Sequence, residues 1–504
     1  MAAAGTFGIE TVGMTKRFGD FVALDQVSIR VRAGSLHALL GENGAGKSTL
    51  VKCIMGYYRA DEGEVIVGDR QHAFDSPRAA HDLGLGMVYQ HFTLVPSMTV
   101  AENFVLGRSH LPGIVRWRDE LDALEAFFAN MPFRVPLDVP ASALSAGEKQ
   151  KSEILKQLYL GRQFLILDEP TSVLTPGEAD EILGLLKSMT HDGRLTVLMI
   201  THKLREVMAF ADEVSVLRRG RAVGGGKVGE IGPDDCARMM LGNTEIRPLA
   251  GRSGRSGDVA LEIDRLCADN DRGMQAVQEA TLRIRSGEIV GVAGVSGNGQ
   301  RELVEALSGQ RPLSGGAIRV HGRPYRARRE EMRDEQFACL PEEPLRNACV
   351  ARMSVAANLV MREFDRPPFA AGGWWLNPGP VRDAAAKLVE RYRIKTASLD
   401  APISTLSGGN VQRCVLAREL GGNAEVLAVA NPCFGLDMGA VAEIRAQLMD
   451  ARNRGAAILL VSEDLDELLE LSDRIVVMFN GCLVHETPAA GTDRTAIGRY
   501  MAGH

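Results

Sequence analysis

The feature that most constrains this 504-residue chain is an internal repeat: ALDQVSIRVRAGSLHALLGENGAGKSTLVKCIMG, Ala23 to Gly56, recurs as AVQEATLRIRSGEIVGVAGVSGNGQRELVEALSG, Ala276 to Gly309. Downstream, LSAGEKQKSEILKQL at Leu144 answers LSGGNVQRCVLAREL at Leu406, and FLILDEPTSVLTP at Phe164 answers VLAVANPCFGLDM at Val426. Chance similarity does not keep three blocks in one order, so one domain is used twice. The length agrees, since 504 residues exceed what a single hydrophobic core organises. RPLAGRSGRSG, Arg247 to Gly257, is rich in Gly, Ser and Arg and reads as an exposed linker, so the expected division is 1–246, linker 247–257, and 258–504.

In each half a short alternating segment (VSIRV, ATLRI) precedes an apolar strand (LHALL, IVGVAG) that runs into a glycine loop and a helical pattern. Later apolar runs (FLILD, TVLMIT, VSVLRRG) alternate with helical stretches, as a mostly parallel sheet covered by helices requires. The fold class is α/β, twice. LREVMAFADEV and DELLELSDRI read as amphipathic helices that cover the sheets.

GENGAGKST, Gly41 to Thr49, matches GxxxxGK[ST] and sits between a predicted strand and a predicted helix. Small residues at Gly41, Gly44 and Gly46 let backbone amides, Asn43 among them, wrap phosphates at a helix N-terminus. Lys47 then reaches the β and γ phosphates, the Ser48 hydroxyl ligates Mg²⁺, and Thr49 follows in the same turn. Asp168 ends the strand FLIL, where a carboxylate holds Mg²⁺, and Glu169 follows it, placed to orient the attacking water.

With Gln90 after an apolar strand, an LSGGQ-like signature, DEPT, and a strand ending in His202, this ordered set resembles the ATPase family of ABC transporters over both halves. The resemblance implies two tandem P-loop nucleotide-binding domains, each with a mostly parallel sheet core, an antiparallel β segment and a helical signature subdomain. It also implies ATP and Mg²⁺ as cofactors, Phe18 stacked on adenine, Gln90 linking the Mg²⁺ and water region to membrane subunits, and His202 contacting the γ-phosphate.

The second half departs from this pattern. Gln300 and Arg301 stand where Lys47 and Ser48 do, Ala430 and Asn431 replace Asp168 and Glu169, and Glu463 falls at the place of His202. Losing the ammonium group removes a charge-assisted contact typically worth about 1.5–3 kcal/mol. Domains that resemble these pair head to tail, so the first phosphate loop would meet Ser407, Gly408 and Gly409 of LSGGN, together with Asp437 of an intact GLD loop. The second loop would meet LSAGE, where Ala146 departs, and LTP, where Thr175 replaces the Asp. The defects collect in one composite site, leaving one competent and one degenerate.

A net charge of −6 excludes the basic bias of a nucleic-acid grip. Eight scattered cysteines without a CxxC pair point to a reducing compartment. With no signal-peptide pattern at the start and no apolar run of about 18 residues, any membrane role is expected to be peripheral, and the resemblance implies the cytoplasmic face of the inner membrane. The resemblance implies two transmembrane permease subunits and, indirectly, an extracytoplasmic solute-binding lipoprotein. LSAGEKQKSEILK, SVLTP, GVSGNGQRE, LPEE and ANPCFGLD look most like bacterial purine-nucleoside importers. Ribose and galactoside importers are the alternative, and soluble twin-ABC factors acting on ribosomes or DNA a third class, which usually keeps two working sites. Trp374 and Trp375 mark either a contact with a membrane subunit or packing under a loop.

Overall fold

The computed structural model describes residues 6–108, 113–242, 248–254, 256–422, 424–434, 436, 438–501 and 503, so Asp437, Arg247 and Arg255 lie outside the described residues. The chain divides into two compact units, Met1–Thr244 and Glu245–His504.

In the first unit the strands are β1 (Ile9–Phe18), β2 (Phe21–Val31), β3 (Leu36–Gly41), β4 (Glu62–Val67), β5 (Arg70–His72), β6 (Leu85–Val88), β7 (Phe164–Asp168), β8 (Thr196–Ile200), β9 (Glu213–Arg218) and β10 (Arg221–Lys227). They form an antiparallel sheet of order β2-β1-β4-β5 and a six-stranded sheet of order β10-β9-β3-β8-β7-β6. Within the larger sheet only the β9–β10 pair is antiparallel. Every residue of β3 is buried, as expected of a central parallel strand covered on both faces. By contrast β2 alternates from Val27 onward, which marks a strand with one wet face.

The second unit repeats the plan with β11 (Val259–Asp269), β12 (Gln275–Arg285), β13 (Ile289–Ala293), β14 (Gly315–Val320), β15 (Arg323–Tyr325), β16 (Phe337–Leu340), β17 (Ala370–Ala371), β18 (Trp375–Leu376), β19 (Val426–Ala430), β20 (Ala457–Ser462), β21 (Arg474–Phe479) and β22 (Cys482–Pro488). Its sheets run β12-β11-β14-β15 and β16-β19-β20-β13-β21-β22. Among the described residues the small hairpin β17–β18 has no counterpart in the first unit. Trp374 and Trp375 stand on it at 91% and 80% exposure, so packing under a loop is overturned. The turn Ala371–Trp375 contains two glycines with positive φ and offers no surface to cover the indoles.

The segment read as a linker is exposed, yet it is tied to the second unit. Asn453 accepts from the Ser253 amide (3.0 Å) and donates to the Gly251 carbonyl (3.0 Å). Arg452 donates to the Ser253 carbonyl (2.7 Å), and Arg252 reaches the carbonyls of Glu470 and Ser472. Leu249 packs against the core of that unit.

Because the strands of each large sheet are parallel, their C-terminal ends share one edge. Asp168 pairs with Ile200 and Leu39 with Ile200, so the segments following β3, β7 and β8 emerge side by side, with that after β6 next to β7. This is where open α/β sheets bind ligands.

One buried side chain in β3 has a measurable consequence. His37 is buried, with Nε2 2.9 Å from Ser215 Oγ. Glu213 lies 3.8 Å from Nδ1 but is engaged by Arg32 at 2.8 Å. Burial, helped by the Arg32 charge, pushes the imidazole down from 6.5 to about 4. The unfolded chain therefore takes up a proton below pH 6.5 that the native state refuses until about pH 4. Stability contributed by neutral His37 is full above that window and lost as pH falls through it, amounting to about 3 kcal/mol. His37→Gln is expected to flatten this part of the acid-unfolding profile, as measured by urea denaturation between pH 7 and 4.

Candidate nucleotide site

The loop after β3 is shaped by glycines whose conformations other residues reach only with strain. Gly46 caps the helix Lys47–Ile54 with φ 103°, and a Cβ there would meet the Ala23 carbonyl at 2.8 Å and Leu24 at 2.9 Å. Gly44 has φ 78°. Gly41 closes the strand, where a Cβ would come within 2.5 Å of the Leu217 carbonyl. Asn43 and Ser48 are exposed and Thr49 is half-buried. Lys47 is buried, and its ammonium donates to the carbonyls of Gly41 (2.7 Å) and Glu42 (3.0 Å). Burial lowers its pKa, while the charges of Glu169, Asp168 and Glu42 oppose that. Lys47 thus lies within electrostatic reach of the carboxylates at the end of β7.

Glu169 adopts a left-handed backbone (φ 50°) held by its amide donating to the Ile200 carbonyl at 2.9 Å. Its carboxylate is gripped from two sides: Gln90 Nε2 donates to Oε2 (3.2 Å), and His202 Nδ1 lies 3.1 Å from Oε1. Burial alone would raise the Glu169 pKa, but the His202 hydrogen bond and charge, with Lys47 and Lys203, outweigh it and keep the group ionised. The neighbour behaves oppositely. Burial, reinforced by Glu169, pushes Asp168 up to about 6 against the pull of Lys47. A half-buried carboxylate at the end of a strand, desolvated and crowded by a second carboxylate, suits magnesium. Among the described residues no cluster of three or more His, Cys, Asp or Glu forms a cage. An ion held by Asp168 and Ser48, with the Gln90 amide nearby, would complete its shell from phosphate oxygens and water, as Mg²⁺ commonly does, and would neutralise phosphate charge there.

The structure thus brings together Lys47, Asp168, Glu169, Gln90 and His202. Phe18 stands apart on the antiparallel sheet. It is 45% exposed, packed edge-on against Tyr58 at 5.3 Å with Lys16 Nζ 5.5 Å from its ring, so one face is available for stacking.

Three residues behind this site were missed from the sequence. Glu206 is buried, accepts from Thr171 Oγ1 at 2.7 and 2.8 Å, and lies 3.4 Å from Lys203 Nζ, which also donates to the Thr171 carbonyl (3.0 Å). The network joins the segment that follows Glu169 to the one that follows His202. Its one sequence signal was an acidic residue on the inward face of LREVMAF.

In the second unit the loop keeps its shape and loses its lysine and its serine hydroxyl. Gly299 has φ 102°, matching Gly46, but buried Gln300 donates to the Val295 carbonyl (3.2 Å) and Arg301 pairs with Glu305 (2.8 Å). The two signatures also differ. Ser407 caps the helix Gly408–Leu420, its hydroxyl accepting from neutral Asn410 at 2.8 Å. In the first unit Ser145 and Glu148 close a capping box: the Ser145 amide and hydroxyl donate to Glu148 Oε2 at 2.8 and 2.9 Å. A carboxylate thus already occupies the Ser145 hydroxyl at that helix N-terminus.

The sequence model of the ABC transporter family matches residues 24–172 and 277–433, covering both loops, both signatures and both β7- and β19-end segments. The chain belongs to the ABC transporter family. It binds ATP and is an ATPase. It is 38% identical over 500 residues to the nucleoside import ATP-binding protein NupA of Lactococcus lactis, spanning 98% of each chain. It is 38% identical over 522 residues to the glucose import ATP-binding protein TsgD13 of Haloferax volcanii, spanning 97% of this chain and 94% of the relative. An archaeal ribosome recycling factor, solved in complex with the ribosomal stalk protein aP1, aligns over 97% of this chain and 92% of its own at TM-score 0.64 and 20% identity, which shows the fold.

Glu206→Ala would leave the buried Thr171 hydroxyl without its acceptor and remove the ion-pair partner of the partly exposed Lys203. We expect it to cost about 1–3 kcal/mol of unfolding free energy by urea denaturation, and Glu206→Gln to cost less.

Proposed function

We propose that this chain is the ATP-hydrolysing subunit of an importer for purine nucleosides, with one competent and one degenerate nucleotide site. The observation that carries the competent site is the Glu169 carboxylate, ionised and held by Gln90 and His202 beside Lys47 and Asp168. In this reading Lys47 exchanges loop carbonyls for phosphate oxygens, Asp168 and Ser48 hold Mg²⁺, Glu169 orients water, and His202 contacts the γ-phosphate. Phe18 stacks on adenine. Ser407, Gly408 and Gly409 supply the second wall of phosphate contacts by the head-to-tail pairing that the resemblance implies. The Glu148 carboxylate on the other signature helix supports assigning the degenerate role to the site that uses LSAGE.

Importer function is supported by full-length similarity to proteins named as import ATP-binding proteins. The substrate is argued from the nucleoside importer among them, and the glucose importer at equal identity favours a sugar as the second reading. The ribosome factor carries no such weight, because at 20% identity it speaks for the fold alone. Among the described residues no helix is long and apolar enough to cross a membrane. Translocation therefore falls to partners, which we take to be two permease subunits fed by an external solute-binding lipoprotein, with this chain peripheral on the cytoplasmic side.

In the assembled complex, Glu169→Gln should lower steady-state ATP hydrolysis at least about a hundredfold, whereas Asn431→Ala should lower it less than about tenfold. Equal effects would remove the asymmetry. For the substrate, the associated external protein should retain labelled purine nucleosides in preference to labelled pentoses in equilibrium dialysis, and the opposite preference would select the sugar reading.

A further inference from the structure

The turn that lost its catalytic groups in the second unit keeps its geometry with the chemistry exchanged. In the first unit an amide after β6, Gln90, donates to a carboxylate after β7, Glu169, at 3.2 Å. In the second a carboxylate after β16, Glu342, accepts from an amide after β19, Asn431, at 3.1 Å. Asn431 has the same left-handed backbone (φ 43°), its amide donating to the Val461 carbonyl at 2.8 Å. Its Oδ1 accepts from the Glu463 amide (3.0 Å), so both ends of the side chain are used and its orientation is fixed. A turn retained only as a relic would have no reason to keep this strained backbone and a partner of matched chemistry on the neighbouring strand.

What the turn holds differs between the units. Gln412, buried on the signature helix Gly408–Leu420, donates to the carbonyls of Asn431 (3.3 Å) and Pro432. Leu436, five residues past Asn431, packs so closely on the signature that a Cβ on Gly409 would meet it at 2.9 Å. Gln150, at the same place on the first signature helix, is buried too, but its Nε2 has no protein acceptor among the described residues. The signature helix that is tied to the strand-end turn is the one with an intact Ser-Gly-Gly.

We propose that Glu342, Asn431 and Gln412 form a positioning relay that fixes the Ser407–Gly409 signature for hydrolysis at the competent site. The proposal rests on the reading that this signature serves that site. Glu342 is then a positioning residue that never touches nucleotide: its carboxylate orients the Asn431 side chain, and the Asn431 turn holds the helix through Gln412. The segment after β16 and the signature become one mechanical unit, and the substitution of Glu by Asn at the end of β19 is a change of use.

The test compares steady-state ATP hydrolysis by the full chain in its complex, with melting temperatures recorded alongside. Asn431→Glu opposes two carboxylates at hydrogen-bond distance and should lower kcat about five- to twentyfold with KM for ATP little changed. The double variant Asn431→Glu/Glu342→Gln rebuilds the arrangement of the first unit and should return kcat to within about twofold. Should Asn431→Glu fail to fold, Gln412→Met keeps the buried volume, removes the donor, and should lower kcat in the same direction. A loss that the double variant does not rescue overturns the relay. So does wild-type hydrolysis in Asn431→Glu and Gln412→Met while Glu169→Gln abolishes it. Wild-type hydrolysis in Glu169→Gln would instead overturn the site assignment itself, and the relay with it.

Discussion

The hydrogen bond from the Glu169 amide to the Ile200 carbonyl, with the left-handed turn it holds, is the constraint on which the first unit's site depends. Without it the carboxylate would not leave the end of β7 at an angle that Gln90 and His202 can reach from either side. A non-glycine residue in this conformation costs of order 1–3 kcal/mol, which the surrounding parallel strands must offset. β7 is buried from Phe164 to Leu167 and β8 throughout, which anchors the strands on either side of the turn. The same turn in the second unit, with asparagine in place of glutamate, shows that the backbone geometry outlives the chemistry.

Much of this was legible in the sequence because the relevant signals are local. A glycine loop between an apolar strand and a helix names its own geometry, and a run such as FLILD can only be a buried strand whose terminal Asp emerges at an edge. The order of the repeated blocks gave the tandem plan without any tertiary information. What stayed hidden depends on partners distant in the chain. Gln150 and Gln412 are the same residue at the same place in the repeat, and nothing local says that one finds carbonyls and the other does not. Glu206 sat in a helix read only for its apolar face, since an inward acid is visible only once Thr171 and Lys203 are seen against it.

The two tryptophans and the linker show where composition left the local environment open and backbone geometry decided it. A Gly- and Pro-rich stretch was as compatible with a cover as with an exposed hairpin, and the turn geometry decided. Gly, Ser and Arg made the segment after Arg247 read as exposed, and arginine and serine there also find backbone and amide partners, as Arg252 and Ser253 do.

Glu148 gives the duplication a different meaning from simple decay. Each signature helix presents a partial positive charge at its first turn, and in the first unit that charge is met by a carboxylate three residues from the cap. Under the proposed asymmetry such a group would be a built-in competitor of phosphate. Being part of the same helix, it acts at an effective concentration that a diffusing phosphate does not match. Restoring the missing glycine at Ala146 would leave the competitor in place. In the proposed asymmetry, what one signature has gained would count alongside what the other loop has lost.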